Sequence, residues 1–359
     1  MKNVLHLQNQ LNIACGVSKN IYLIIKYSDK RYKHFVAALG GDGFNRFHSI
    51  NNYPESISVG TLPLLIFPRL IIYIIGACKK NNIDIVHSHH RQFDTIVWVV
   101  SKLLKVKTVM SVQSKVYGKK VLSYKSDILI ACSETIKNHL INHFNIKPGR
   151  ITIINNCVDT SEVILVQDIS YLKKELNIPN SGNVIGFFGR FSFEEKGLDL
   201  LLKVFSELIL EDEKLFLLLI GTGPDEKSIL DFKRRYPERI ILFNPQDDLT
   251  KFFSLIDLFI LPSRVDPFPH VMLESGFFKK PFVGSNVDGI AELIRNGENG
   301  LLFEKGETAG LKNCIVKLLK DKNYANELAQ KLHEEITDKY SAKTIIPKYY
   351  SLYDSITAG

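Results

Sequence analysis

Short apolar runs separated by polar and amphipathic stretches recur along most of the chain. Residues 3–8 read as a buried strand, and Ser18–Tyr27 as the helix that follows it. Asp84–His87, Lys107–Val112, Ile128–Ala131 and Ile151–Ile154 continue the series, each near a helical stretch. Strands alternating with helices predict a parallel sheet covered on both faces. Asp159–Asn183 interrupts the rhythm with acidic residues, Pro179, Ser181 and Gly182, which predicts a connection. A second series then opens with a strand at Val184–Phe188 and an amphipathic helix over Gly197–Leu210. Strands at Leu215–Ile220, Ile240–Phe243, Leu258–Leu261 and Pro281–Gly284 follow, and the chain is helical from about Thr308. The expected architecture is α/β, with two doubly wound domains. In such folds ligands bind beyond the carboxyl ends of the strands, in the cleft that two such domains leave between them.

Composition narrows the class. With 45% hydrophobic and 23% charged residues in 359, the chain builds a core and is not disordered. The most apolar stretch, Leu62 to Cys78, is interrupted by Pro63, Pro68 and Arg69. It falls short of the ~20 apolar residues of a membrane span, so a buried or interfacial helix is expected. The opening Met1–Leu7 is strand-like, with no signal peptide evident. Five scattered cysteines (Cys15, Cys78, Cys132, Cys157, Cys314) form no Cys-x-x-Cys pair, which disfavours zinc and fits reduced thiols in a cytoplasmic protein.

The net charge of +8 admits nucleic acid, a membrane surface or phosphate-bearing substrates. It is unevenly spread. Residues 1–165 hold 21 basic against 9 acidic side chains (+12), and the remainder 25 against 29 (−4). Lys102, Lys105, Lys107, Lys115, Lys119, Lys120 and Lys125 precede the next acid, Asp127. They form either a solvated basic face or a surface for anionic lipid. Only Tyr117 and Tyr124 are interleaved, which argues against nucleic acid.

Two segments carry chemistry. In Gly189–Asp199, Arg190 leaves a strand end and Lys196 stands before the next helix. An Arg fork and a Lys point charge at such a turn suit a diphosphate, although two surface cations would read the same. In Leu261–Glu274, seven residues separate Asp266 from Glu274. A carboxylate accepts two hydroxyls at once, so Glu274 suits a ribose diol and Asp266 the hydroxyls of a hexose. Amides near His270 and Val271 would face anionic oxygens. The plain alternative is a capped helix with Pro269 in its first turn and a solvated Glu274.

Together these segments resemble the signature of family-4 retaining glycosyltransferases, the glycosyl transferases of group 1, which have the GT-B fold. Asn156–Asp159, Ile220–Pro224, Val287–Ile294 and Asn296–Phe303 are similar to further family motifs, in order and at the family's spacing. The resemblance implies two Rossmann-like domains facing across a cleft. Residues 1–163, joined by a helix at 342–357, would bind the acceptor, and 164–341 the nucleotide sugar. By the same resemblance Arg190 and Lys196 grip the donor diphosphate and act as catalysts. Glu274 takes the ribose, and Gly223, Asn244, Asp266, Phe268, Pro269, His270 and Val271 line the donor site. Gly16 matches a glycine-rich loop close to the donor phosphate and acceptor, and His89 ends a His-x-His strand, points into the cleft and is the third catalytic candidate, with His87 structural. Gln113 stands where the family commonly has a His, and it cannot transfer a proton. Asp266 replaces the usual Glu and Pro269 a usual Gly, changes that bear on the identity of the sugar.

The expected reaction moves a sugar from a UDP-hexose or UDP-N-acetylhexosamine to a hydroxyl of a glycan or lipid-linked acceptor, in bacterial surface-polysaccharide or lipopolysaccharide synthesis. It proceeds with retention and without a protein nucleophile, metal or other cofactor; no Asp-x-Asp is present. The protein is expected on the inner face of the cytoplasmic membrane, without nucleic acid as a partner. A nucleotide-sugar epimerase or sugar phosphorylase of the same fold is the alternative. A nucleic-acid-binding protein is more distant, as is a degenerate transferase.

Overall fold

The computed structural model describes residues 1–359 apart from 13–14, 45–46, 48–54, 59–66, 119–122, 162–167 and 359. The chain forms two units: Met1–Cys157 with Ala342–Gly359, and Val158–Ser341. The boundary expected at 163/164 lies outside the described residues.

Unit 1 runs β1 (Lys2–Gln8), α1 (Gly16–Lys26), β2 (Tyr32–Ala38), β3 (Glu55–Ser58), α2 (Phe67–Lys80), β4 (Ile85–Ser88) and α3 (Arg91–Leu103). It continues with β5 (Lys107–Val112), β6 (Ile128–Ala131), α4 (Glu134–Phe144) and β7 (Ile151–Ile153). The strands form one parallel sheet ordered β3-β2-β1-β4-β5-β6-β7. Because side chains alternate across a strand, β1, β2 and β4 each feed two cores. Val4, Val36, Ile85 and Val109 pack on one face with α1 and the last helix of the chain. Leu5, Leu7, Phe35, Ala37 and Val86 pack on the other with α2 and α3.

Unit 2 runs α5 (Ser170–Glu175), β8 (Asn183–Phe188), α6 (Phe193–Lys196), α7 (Leu198–Glu211), β9 (Leu215–Ile220), α8 (Glu226–Arg235) and β10 (Ile240–Phe243). Then come α9 (Thr250–Leu255), β11 (Leu258–Leu261), α10 (His270–Phe277), β12 (Phe282–Ser285), α11 (Asp288–Leu293), β13 (Leu301–Phe303), α12 (Thr308–Lys320) and α13 (Lys322–Lys339). Its parallel sheet is ordered β10-β9-β8-β11-β12-β13. In α7 the buried Leu198, Leu201, Leu202, Phe205 and Leu208 recur at helical spacing and lay one stripe on the sheet. The final helix, α14 (Ala342–Thr357), returns to unit 1 and buries Tyr349, Tyr350 and Tyr353 there.

Both sheets therefore reverse their order at one point, between β1 and β4 in unit 1 and between β8 and β11 in unit 2. At such a reversal the loops on either side diverge to opposite faces and open a crevice. The stretch Asp159–Asn183, expected as a plain connection, contains the short helix α5.

Candidate active site

In unit 2 the residues after β8 and β9 are bound to one another. Gly189 N–H donates to Ile220 O (2.9 Å) and Phe191 N–H to Thr222 O (2.8 Å). A Cβ on Gly223 would lie 2.3 Å from Phe191 O, so the two loops approach this closely only with glycine there. Ser192 then caps α6, accepting from Glu195 N–H at 3.1 Å, and the chain turns left-handed at Gly197 (φ 61°).

The two expected cations are held differently. The Arg190 side chain is 60% exposed and, among the described residues, pairs with the exposed carboxylate of Glu195 alone, at 3.2 Å. A pair of that kind contributes about 0–1 kcal/mol, so an anion recruits the guanidinium at little cost. Lys196 Nζ instead donates to Asp266 Oδ2 at 2.6 Å, and the Asp266 side chain is 5% exposed. Ser263 Oγ donates to the same oxygen at 2.9 Å. The Asp266 backbone is fixed as well: its N–H donates to Asp288 Oδ2 (3.1 Å), and its carbonyl accepts from Gly289 N–H (3.1 Å). Arg264 forks onto Asp199 at 2.6 and 2.8 Å, and its N–H donates to Glu195 O at 2.7 Å. The loop after β11 is thus laced to α6 and α7.

Pro269 occupies the N-cap of α10 with no side-chain capping bond, and His270 and Glu274 are buried within that helix. Phe268 is buried with its ring 5.5 Å from that of Tyr340. Val271 and Gly223 are half-buried, and Asn244 is exposed just after β10. Arg190 and Lys196 follow β8 while Asp266 and Glu274 follow β11, so the four flank the strand-order reversal. Asp266, expected to meet a hexose, binds Lys196 and Ser263 in this structure.

In unit 1 Gly16 is the first residue of α1, behind a Cys15 N-cap that makes no side-chain capping bond. His89 directly follows β4, and the half-buried Gln113 directly follows β5. The described lysines of the expected patch lie at both ends of β5. Lys102, Lys105 and Lys107 lie at or before the start of β5, whereas Lys115 lies beyond its end. A six-residue strand spans about 20 Å between those ends. Lys119 and Lys120 fall outside the described residues.

Around His89 the structure holds a cluster that the sequence reading missed. His6 lies opposite His87 in the β1–β4 register, and His34 lies opposite Val4, two residues from His6 and so on the same face. His6 Nδ1 is 3.0 Å from His89 Nε2, and His6 Nε2 is 2.9 Å from His34 Nδ1. His87 bridges Tyr353 OH (2.6 Å) and Ser111 Oγ (2.8 Å), with its ring 4.0 Å from that of His89. Burial lowers His34 and His89 to about 3. Burial, with neighbouring imidazoles, drives His6 and His87 well below the ordinary value. All four are neutral at neutral pH. Ring nitrogens of His6, His87 and His89 lie within 4.8 Å of one another, a donor set of the kind metals use. Among the described residues His89 Nδ1 is buried without a hydrogen-bond partner, a state that costs about 1–3 kcal/mol. The signal for this cluster was His6 itself, polar in the middle of an apolar strand.

The sequence model of the glycosyl transferases group 1 matches residues 168–336, and that of glycosyltransferase family 4 matches residues 15–162. The N-acetyl-alpha-D-glucosaminyl L-malate synthase of Bacillus anthracis is 26% identical over 325 residues, 84% of each chain. The O-antigen biosynthesis glycosyltransferase WclY of Escherichia coli is 25% identical over 292 residues, 76% of this chain and 79% of that one. Anabaena HepE, solved with UDP and glucose, superposes with a TM-score of 0.87 at 17% identity, over 99% of this chain and 100% of that chain. That likeness establishes the GT-B architecture of paired Rossmann-like domains.

Proposed function

From the premise that the chain belongs to the glycosyl transferases of group 1 and family 4, we propose a specific reaction for this glycosyltransferase. It transfers a sugar from a nucleotide-diphosphate sugar, a UDP-hexose or UDP-N-acetylhexosamine, to a hydroxyl of a glycan or glycolipid in bacterial surface-polysaccharide synthesis. The anomeric configuration is retained. The observation that carries this reading is the pairing of Arg190 and Lys196 beyond β8 with Asp266 and Glu274 beyond β11. The UDP complex of Anabaena HepE and the O-antigen role in the name of the Escherichia coli relative support it.

In this reading charge grows on the diphosphate as the glycosidic bond breaks. Arg190 swings from Glu195 to a phosphate oxygen and offers two donors, while Lys196, pre-set by Asp266, supplies a fixed charge. Asp266 acts through Lys196 as a positioning residue. Two cations stand ready for the leaving group, so the reading needs no metal. Glu274 takes the ribose hydroxyls, and the N–H groups opening α10 face the phosphates. A thermal-shift screen of nucleotide sugars against free nucleotides tests the donor, because a ligand stabilises by its own binding energy. Stabilisation by one sugar nucleotide beyond its free nucleotide is expected, and equal stabilisation by both refutes the sugar assignment.

The acceptor would be met at the inner face of the cytoplasmic membrane. Among the described residues no helix is long and apolar enough to cross a membrane. On α3 Trp98 and Lys102 are one turn apart and both exposed, with Leu103 63% exposed beside them. On α2, which packs against α3, Ile72 is 69% exposed and Lys79 and Lys80 end the helix in solvent. Apolar side chains ringed by cations suit an anionic bilayer surface. Binding to vesicles is expected to rise with anionic lipid content; binding indifferent to it removes this part of the reading.

A further inference from the structure

The histidine cluster has a direction. Tyr350 OH donates to Ile24 O at 2.6 Å, and Ser28 Oγ donates to Asp29 O at 3.1 Å. The Tyr350 proton is committed to a carbonyl at short range, and Ser28, which also hydrogen-bonds Tyr350, has a carbonyl within donating reach. The two oxygens nevertheless lie 3.2 and 2.9 Å from His34 Nε2. The Tyr350 oxygen, having given its proton away, accepts there, so His34 carries its proton on Nε2 and presents a bare Nδ1. His6 must then donate from Nε2 to that nitrogen and present its own bare Nδ1. His89 in turn donates from Nε2 to His6 Nδ1. A neutral imidazole has one proton, so nothing is left for His89 Nδ1, the buried nitrogen without a partner among the described residues.

We propose that this relay, anchored at Ile24 and Asp29, fixes the proton of His89 on Nε2 and presents its Nδ1 as a lone-pair acceptor for a sugar hydroxyl at the end of β4. The class of ligand follows from the chemistry: a site that offers a bare lone pair without charge selects a donor that keeps its own proton, as an alcohol does. His6 and His34 are positioning residues, and so are the hydroxyls of Ser28 and Tyr350. The burial that keeps all the imidazoles uncharged preserves the one-proton count on which the direction depends. A metal at His6, His87 and His89 would compete with hydrogen bonds already formed by both nitrogens of His6 and of His87.

The tautomer assignment stands apart from the transferase reading, and only the identity of the hydroxyl donor rests on it. The test is nitrogen-15 NMR of the full chain labelled at histidine, which reports for each ring which nitrogen holds the proton. His34, His6 and His89 are expected to be protonated on Nε2 in the free protein. Adding UDP-glucose in one sample, and UDP with methyl α-glucoside in another, is expected to shift His89 Nδ1 as it accepts a hydrogen bond. The first sample reports a donor hydroxyl and the second a hydroxyl of a free sugar. Backbone amides of Arg190–Lys196 report nucleotide binding separately, so a failure of the donor reading is seen there. A proton on His89 Nδ1 overturns the relay. So does a His89 Nδ1 that stays unmoved by a sugar that binds, or zinc at equimolar concentration shifting His6, His87 and His89 together. His6→Gln keeps one acceptor and one donor and is expected to hold the His89 tautomer, whereas His6→Leu is expected to release it and raise KM. Equal spectra for the two variants would also overturn the relay.

Discussion

The two sheets reverse their strand order at equivalent places and furnish those places with opposite chemistry. Beyond β8 and β11 stand charges: Arg190 in solvent, Lys196 on Asp266, and Glu274 buried in α10. At the reversal in unit 1 His89 stands just past β4, backed by His6, His34 and His87 within β1, β2 and β4, imidazoles that burial keeps neutral and that hydroxyls of α14 tie at His34 and His87. In the readings proposed above, the same kind of crevice serves two kinds of ligand group. A diphosphate needs cations that strengthen as charge develops, whereas a hydroxyl needs a fixed lone pair and no competing charge.

Acid should separate the two units most sharply. The folded values of His34 and His89 are depressed to about 3, and those of His6 and His87 lie well below the ordinary imidazole value. Below about pH 6.5 the unfolded chain binds protons that the fold refuses, so their stability is present above that pH and is lost as pH falls toward the folded values. Each imidazole contributes a slope of about 1.4 kcal/mol per pH unit in that window. Hydrogen exchange in β1, β2 and β4 is expected to accelerate between about pH 6 and pH 4, ahead of β8, β9 and β11. Simultaneous acceleration in both sheets would show that the histidines are not the cause.

At the charged end, Arg190→Ala and Lys196→Ala are each expected to lower turnover by roughly 10²–10³-fold. Their melting points should differ. Arg190→Ala removes an exposed pair and leaves Tm unchanged, whereas Lys196→Ala strands a buried Asp266 carboxylate and lowers Tm. Adding Asp266→Asn to Lys196→Ala should restore Tm and not activity; recovery of both would remove Lys196 from the chemistry. Glu274→Gln is next in size, with KM for the nucleotide sugar rising by about 10- to 100-fold as charge-assisted hydrogen bonds are lost. An unchanged KM would place the ribose elsewhere. The smallest effect is expected from Gly223→Ala, whose Cβ meets Phe191 O at 2.3 Å. A loss of about 1–2 kcal/mol in unit 2 stability is expected, read by urea unfolding.

Most of the sheet strands were legible because a strand buried on both faces is an unbroken apolar run, as Leu215–Ile220 is. The strands not anticipated have weaker patterns: β3 is Glu-Ser-Ile-Ser at a sheet edge, β13 has three residues, and β2 opens with Tyr32-Lys33-His34 before its apolar part. The charged site was readable for a related reason. Arg190, Lys196, Asp266 and Glu274 sit in two continuous segments, each just past a strand end; spacing alone leaves surface cations and a capped helix equally open, and the family resemblance singles the four out. The histidine site gathers residues 6, 34 and 87 from three strands, His89 from just past one of them, and tyrosine hydroxyls from the chain's other end. Register, not spacing, assembles it, and register becomes visible only once the sheet order is known.

The return of α14 to unit 1 sets an order of assembly during synthesis. Val158–Ser341 is complete as soon as its last residue has left the ribosome, while the face of β1, β2 and β4 that bears His6, His34 and His87 still waits for Tyr349, Tyr350 and Tyr353. The half of the protein made first is therefore the half finished last. A nascent chain stalled at residue 341 would carry a whole second unit and a first one with its polar row uncovered.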